Sequence, residues 1–385
     1  MLLKELQIEG FRSLKSVTWK PGRLNVLIGP NGGGKSNLLR ALDLLRIAAK
    51  GGLRDTIIDM GGMAPLLWDG RAQGLRFNTG LSYSDKISLN YELELSRLGA
   101  LGSYVRNREH LSRLDQITGV SLGLLALNPL FNDDANEAET NLSQVLRIAP
   151  INPPDDTAQI IVVTQAFFSQ WAIHCDMRVD QGSDMRSPPV ARSENRVRGD
   201  GQNLVAVLHT NYTTDPDFRD LIDKAMSAAF PDDYDKLEFP PVPAAHSRID
   251  MRLWRKHRKR PDSPADLSDG TLRFLLLATI LGSTHPAPLI AIDEPEAGLH
   301  PRMMSIIAEI AASAAMKSQV IFSTHSPQFL DAFSDDHDDL PVVTVVTSNG
   351  SETQLKNIDG EELKRWVEGY SLGKFAFSGE AEIAS

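Results

Sequence analysis

The run Gly29-Pro30-Asn31-Gly32-Gly33-Gly34-Lys35-Ser36 constrains this chain more than any other stretch. Its glycines, lysine and serine stand at the spacing of a phosphate-binding loop, a turn whose bare backbone lets successive N–H groups converge on an anion. A helix starting where such a loop ends adds the positive end of its dipole. Lys35 is placed to reach β- and γ-phosphates, and the Ser36 hydroxyl to take one Mg²⁺ position. The phosphate-binding stretch is read as Gly29 to Ser36 together with Asn37. The flanks agree, because Leu24, Val26 and Ile28 alternate into a short buried strand while Leu38, Leu39, Leu42 and Leu45 recur at helical spacing.

A chain of 385 residues holds one large α/β domain with insertions, or two lobes around a shared site. Its one cysteine, Cys175, excludes an internal disulfide framework and fits a reducing cytosol. No basic-then-apolar leader opens the sequence. The longest apolar run, Phe274 to Gly282, is too short to span a membrane and predicts a buried helix, so a cytoplasmic protein without membrane contact is expected. A net charge of −10 argues against nucleic acid coating the whole surface, yet leaves room for a local basic groove.

Along the chain, residues 3–8 alternate into a first strand followed by Phe11-Arg12-Ser13, and residues 75–96 predict antiparallel strands, clearest at Ile87 to Leu95. The pattern blurs over 101–158, with acidic breaks at Asn132-Asp133-Asp134 and Asn152 to Asp156. Ile160 to Val163 reads as another strand, and 181–200 as a mobile connection. Phe218, Leu221, Ile222, Ala225 and Met226 mark an amphipathic helix that stops before Pro231. Pro240 to Pro243 reads as a stiff linker into one strand carrying Ile249, Met251 and Leu253. Arg255-Lys256-His257-Arg258-Lys259-Arg260 follows, either a solvated loop or a phosphate-contacting edge for nucleic acid through Arg255, Lys256, Arg258, Lys259 and Arg260.

Three further motifs carry chemistry. Pro288 to Ile292 is an apolar strand ending in Asp293-Glu294-Pro295-Glu296. Adjacent residues at a strand end project to opposite sides, so Asp293 is free to bind Mg²⁺ while Glu294 orients or deprotonates a water. Leu267-Ser268-Asp269-Gly270-Thr271 opens an apolar helix, which is both an ordinary N-cap and, through the same geometry, an anion site. Val320 to Ser323 predicts a strand ending at Thr324-His325-Ser326-Pro327, which puts His325 at the edge of a parallel sheet where ligands bind.

Together, and in this order, the phosphate loop, LSDGT, the apolar strand with Asp293-Glu294 and the strand-end His325 resemble an ABC-type ATPase head. The opening Phe11-Arg12-Ser13, the run Asp293 to Pro301 and Ser323 to Pro327 resemble the SMC/RecF/OLD branch more than transporter heads. The run Trp366 to Lys374 is similar to the ending of a group of bacterial AAA/ABC-type ATPases. The resemblance covers roughly residues 1–50 and 250–375.

That resemblance implies an α/β fold, with a mixed or parallel sheet around the phosphate loop, an antiparallel β lobe and a helical lobe. The expected parts are 1–100 with the loop and β lobe, 101–240 as a helical or loop-rich insertion, 241–345 with the remaining motifs, and 346–385 as a strand and helix tail. It further implies ATP and Mg²⁺ as ligands and two heads sandwiching two nucleotides. Each nucleotide would lie between one loop and Leu267, Ser268, Asp269, Gly270 and Thr271 of the other head, with Asn31 near the γ-phosphate, Arg12 and Ser13 near the nucleotide, and Lys35, Glu294 and His325 in catalysis. The family's lobe glutamine is not assigned; Gln165 and Gln170 are two of several options. No sustained heptad pattern predicts a coiled-coil arm. Residues 326–385, read as a last strand at Val342 to Val346 and a terminal helix, are too few for a fused Toprim nuclease, so an effector is expected as a separate polypeptide. The expected role is an ATP-driven switch for DNA repair or antiviral defence, with DNA a possible partner. A transporter ATPase subunit and an ATP-binding scaffold with negligible turnover are the alternatives.

Overall fold

The computed structural model describes residues 1–70, 72–99, 103–126, 139–148, 156–242, 245–333 and 340–358. It divides into two units, one of Met1–Trp171 with Val342–Ile358 and one built on Ala172–Pro341.

In the first unit, β1 (Leu2–Phe11) and β2 (Leu14–Trp19) form a hairpin around Arg12 and Ser13. They join β4 (Gly74–Ser82), β5 (Ile87–Leu98), β6 (Ser103–Asp115) and β7 (Ser121–Ala126) in an antiparallel sheet of order β2-β1-β4-β5-β6-β7. A bulge between Leu3 and Glu5 keeps Leu3, Leu6 and Ile8 buried despite their uneven spacing. The short strand β3 (Leu24–Ile28) is buried throughout and runs parallel to β15 (Val342–Ser348), which pairs antiparallel with β16 (Thr353–Asn357). Helix α1 (Lys35–Lys50) buries Leu38, Leu39, Leu42 and Leu45 and ends at Gly51, whose left-handed φ of 86° lets its N–H reach Ile47 and Ala48 carbonyls. Short helices α2 (Leu53–Asp59) and α3 (Asn141–Ile148) and the longer α4 (Asp156–Ser169) complete the unit.

The second unit is built on a parallel sheet of β8 (Ala172–His174), β13 (Leu289–Asp293) and β14 (Gln319–Thr324). Its helices are α5 (Leu204–Thr214), α6 (Pro216–Ala229), α7 (Asp269–Leu281), α8 (Pro301–Ala315) and the short α9 (Pro327–Asp331). Every residue of α7 from Thr271 to Leu281 is buried, as a helix apolar on all sides requires. Strand pairs β9 (Tyr234–Glu238) with β12 (Arg252–Arg255), and β10 (Pro241–Val242) with β11 (Ala245–Ile249), lie apart from the parallel sheet.

Several sequence expectations are corrected. Ile160 to Val163 is helix α4, not a strand, and buries Ile160, Thr164, Phe167 and Phe168 at helical spacing. A short apolar run does not by itself separate strand from helix. The single strand through Ile249, Met251 and Leu253 is two strands, broken after Ile249, and part of the expected Pro240–Pro243 linker pairs as β10. Strand β15 is not the last, since β16 follows. The antiparallel sheet also runs on to residue 126, past the boundary drawn at 100. Its alternation is masked in β6 because two inward positions hold the buried pair Arg106 and Glu109, 3.1 Å apart, and a register shift intervenes. The expected terminal helix, the Trp366 to Lys374 run, Asn132-Asp133-Asp134 and residues 152–155 of the second acidic break lie outside the described residues, while Asp156 opens α4.

Candidate functional site

In the first unit the loop from Gly29 to Ser36 follows β3 and starts α1. Lys35 is buried at the first position of α1, and its Nζ donates to the carbonyls of Gly29 (2.8 Å) and Pro30 (2.9 Å). The chain therefore curls around its own ammonium group. Gly32 and Gly34 hold φ of 80° and 108°, and a Cβ at Gly34 would run into Thr353 and Ser13. A Cβ at Gly29 would run into the Val346 carbonyl. Such a bare, tightly backed turn fits a phosphate chain on its open side.

A hydroxyl network backs the loop. Thr353 of β16 donates from Oγ1 to Gly33 O (3.0 Å) and shares a 2.8 Å hydrogen bond with Ser13 Oγ, which also accepts from Asn37 Nδ2 at 2.8 Å. Sequence reading missed Thr353, whose role depends on β15 and β16 folding beside the loop. Arg12, at φ 49°, is half-buried, and burial followed by the nearby Arg40 guanidinium lowers its pKa. Gln165 lies inside α4 and donates to Ala49 O (2.9 Å).

In the second unit the parallel register pairs Asp293 with Ser323 and Ile292 with His174, so the ends of β13, β14 and β8 share one edge. Beyond them stand Asp293 and Glu294, His325, and the segment Cys175 to Arg178. Glu294 adopts φ 47°, a conformation uncommon outside glycine, with its N–H bonded to Ser323 O at 2.8 Å. Arg273 reaches from α7 to donate to the carbonyls of Glu294 (2.7 Å) and Met177 (3.2 Å). Burial lowers its pKa, against the opposing pull of Glu296, Glu294 and Asp293. His325 Nδ1 lies 3.4 Å from Glu294 Oε1 and 3.5 Å from Glu296 Oε1. Glu296 also accepts from Thr324 Oγ1 at 2.6 Å. Its second oxygen and Ser323 Oγ are buried with no hydrogen-bond partner among the described residues. A cavity of about 290 Å³ opens here between Asp176, Arg178, Arg273, Asp293 and Glu294.

In the same unit Ser268 caps α7, its Oγ accepting from Thr271 N at 3.2 Å. Leu267 is buried, whereas Ser268 and Asp269 are exposed. Gly270 is required because a Cβ there would stand 2.5 Å from Gly298 O. Asp269 pairs with Arg186, a buried arginine that sequence reading did not single out.

The basic stretch is partly neutralised within the chain. Arg255 pairs with Asp233 and Asp262, Arg258 with Asp262 at 2.9 Å, and Lys256 donates to Pro231 O at 2.7 Å. Among the described residues, no bond of this kind places Lys259 or Arg260.

A family model described as "AAA domain, putative AbiEii toxin, Type IV TA system" matches residues 24–124 and 182–331, well over half of the chain. The chain belongs to this family. It resembles the heads of the SMC, RecF and OLD group in short stretches of sequence and in fold. A stretch of 48 residues of the head is 50% identical to the DNA replication and repair protein RecF of Moorella thermoacetica, covering 12% of this chain and 13% of that one. Another match, 46% identical over 44 residues, is to the OLD nuclease of Thermus scotoductus and covers 11% and 8%. The chain thus matches only a small part of the length of these two relatives. Among solved structures, an Smc head bound to the C-winged helix domain of ScpA matches 95% of this chain and all of its own at a TM-score of 0.55 and 14% identity. The Smc head with an extended coiled coil bound to the C-terminal domain of ScpA, derived from Pyrococcus furiosus, matches 95% and 98% at 0.53 and 13%. At such identities the likeness shows the head's fold. No helix among the described residues is long and apolar enough to cross a membrane.

Proposed function

We propose that this head binds and hydrolyses ATP, that two copies close around two nucleotides, and that closure switches a DNA transaction or an anti-phage response. The effector, such as a nuclease, would be a separate polypeptide. The observation that carries the reading is the strand edge where Glu294, turned by its left-handed backbone, holds an exposed carboxylate 3.4 Å from His325. A carboxylate so placed is suited to hold a water and take its proton at Oε1 or Oε2.

The glycine loop supplies N–H donors for a phosphate chain, and Lys35, already ringed by loop carbonyls, supplies the positive charge. Mg²⁺, when bound, neutralises charge on the β- and γ-phosphates. Ser36 and Asp293 are the oxygens we assign to it, a hard donor set that suits the ion. We assign His325, beside Glu294, to sensing the γ-phosphate, and the capped start of α7 from the second copy, with Leu267 to Thr271, would close the site. The names of the RecF and OLD relatives support a link to DNA, and the ScpA-bound Smc heads support a partner protein. Any contact with DNA by the basic stretch falls first to Lys259 and Arg260, since Arg255 and Arg258 are engaged by carboxylates.

The test is the solution mass of Glu294→Gln by light scattering, with and without Mg-ATP, alongside phosphate release by the unaltered chain. A mass that doubles only with ATP, with measurable release, bears the reading out. A mass indifferent to ATP, or no release, moves the head to the scaffold role.

A further inference from the structure

Among the described residues, Arg186 is one of the most heavily bonded side chains in the second unit. It sits in a single helical turn, Asp184–Arg186, and only 5% of it is exposed. A guanidinium this deep is costly to bury unless its donors find acceptors. They do: Nε donates to Val179 O (3.0 Å) and Asp180 O (2.9 Å), Nη1 to Pro264 O (3.0 Å) and Leu267 O (2.8 Å), and Nη2 to Val179 O (2.8 Å). Nη2 also pairs with the carboxylate of Asp269, the first residue of α7.

The carboxylate is the telling partner. Asp269 is more than half exposed at the positive end of α7, beside the Ser268 cap. An acid there suits the helix dipole but opposes the approach of another anion. Arg186 cancels that charge from behind while fixing the carbonyls of Pro264 and Leu267, so the backbone entering the cap is held on its buried side.

We infer that Arg186 is a positioning residue that makes the start of α7 receptive to a phosphate, by neutralising Asp269 and clasping the loop before Ser268. The inference rests on the proposed closure of two heads, in which that phosphate belongs to the nucleotide of the second copy. Arg186 touches neither the nucleotide loop nor Glu294, so its effect falls on association and not on nucleotide binding by a single head.

The test measures Mg-ATP affinity, melting temperature and ATP-driven association, in a Glu294→Gln background, for Arg186→Met, Arg186→Lys, Asp269→Asn and the Arg186→Met/Asp269→Asn pair. Arg186→Met is expected to weaken association at least about tenfold, the scale of one lost charge-assisted contact, with ATP affinity held within about twofold. Arg186→Lys, which keeps the charge, and the double variant, which removes the exposed acid, should each recover at least about threefold of that loss. Asp269→Asn alone should associate as well as the parent or better, and this arm decides the matter if Arg186→Met does not fold. Undiminished association in Arg186→Met, an equal fall in ATP affinity, or loss of association in Asp269→Asn overturns the inference. A parent that does not associate with ATP overturns the closure reading itself, and the inference with it.

Discussion

His325 Nδ1 and Glu294 Oε1 face each other at 3.4 Å just past the ends of two neighbouring parallel strands. Parallel pairing brings the two residues to one edge, and the φ of 47° at Glu294 turns its carboxylate into the open. Glu294→Gln keeps the shape and removes the base. Phosphate release is expected to fall about 10²- to 10⁴-fold, with ATP affinity changed less than about threefold. Single-turnover release set against a binding titration checks both, and an unchanged rate would take Glu294 out of the chemistry.

Lys35→Ala removes the charge that the Gly29 and Pro30 carbonyls surround. ATP affinity is expected to drop at least about a hundredfold, since a charge-assisted contact to phosphate and the packing of a buried stem go together. Calorimetric titration reads this directly; retained affinity would end the phosphate-loop assignment.

Thr353→Val deletes the hydroxyl that joins Ser13 to Gly33 O while keeping the side-chain volume. Its effect should reach the nucleotide: affinity about tenfold weaker, from one buried bond broken and one acceptor left unsatisfied. Ser13→Ala is expected to weaken binding in the same direction, as Asn37 then loses its acceptor too. Equal affinity in both variants would show that the loop holds its shape unaided.

The basic stretch separates into two behaviours. Arg255→Ala leaves the buried carboxylate of Asp262 to Arg258 and removes a charge-assisted bond, so it is expected to destabilise the fold by about 2 kcal/mol, readable in a denaturant titration. Lys259→Ala with Arg260→Ala should leave stability unchanged and lower the salt slope of DNA binding by about two. A slope that does not move would make this stretch a solvated loop.

Asp215 caps α6, accepting from Phe218 N at 3.1 Å. The Thr284 hydroxyl first, and then that N–H, hold its carboxyl below the ordinary aspartate range. A lowered folded pKa means that the stabilisation is complete above the unfolded value and is lost as pH falls through the folded one. Asp215→Ala should therefore cost about 1 kcal/mol at neutral pH. The gap from the parent should shrink below about pH 4, and a gap that persists in acid would point to packing instead.

What the sequence carried well was local. The loop around Lys35, the cap at Ser268 and the strand ending in Asp293 are short patterns whose chemistry depends on near neighbours, and each lies on the element expected. What it did not carry was set by distant partners. Ile160 to Val163 belongs to a helix whose Phe168 packs near Tyr91 of β5 (5.5 Å), a contact that no local run announces. β6 hid behind Arg106 and Glu109, charges at inward positions made tolerable by each other, the start of α3, the Glu139 carbonyl and the Tyr91 hydroxyl. Thr353 and Arg186 were silent for the same reason: a threonine and an arginine acquire meaning from what the fold brings to them.

The bond between Ser13 and Thr353 joins residues 340 positions apart. During synthesis the Gly29–Ser36 turn leaves the ribosome with nothing behind it, and its brace follows roughly 15 to 60 s later at ordinary elongation rates. The shape of the loop is thereby tied to a residue translated 340 positions after Ser13. A product stalled before residue 353 carries the whole motif yet lacks the hydroxyl that braces it.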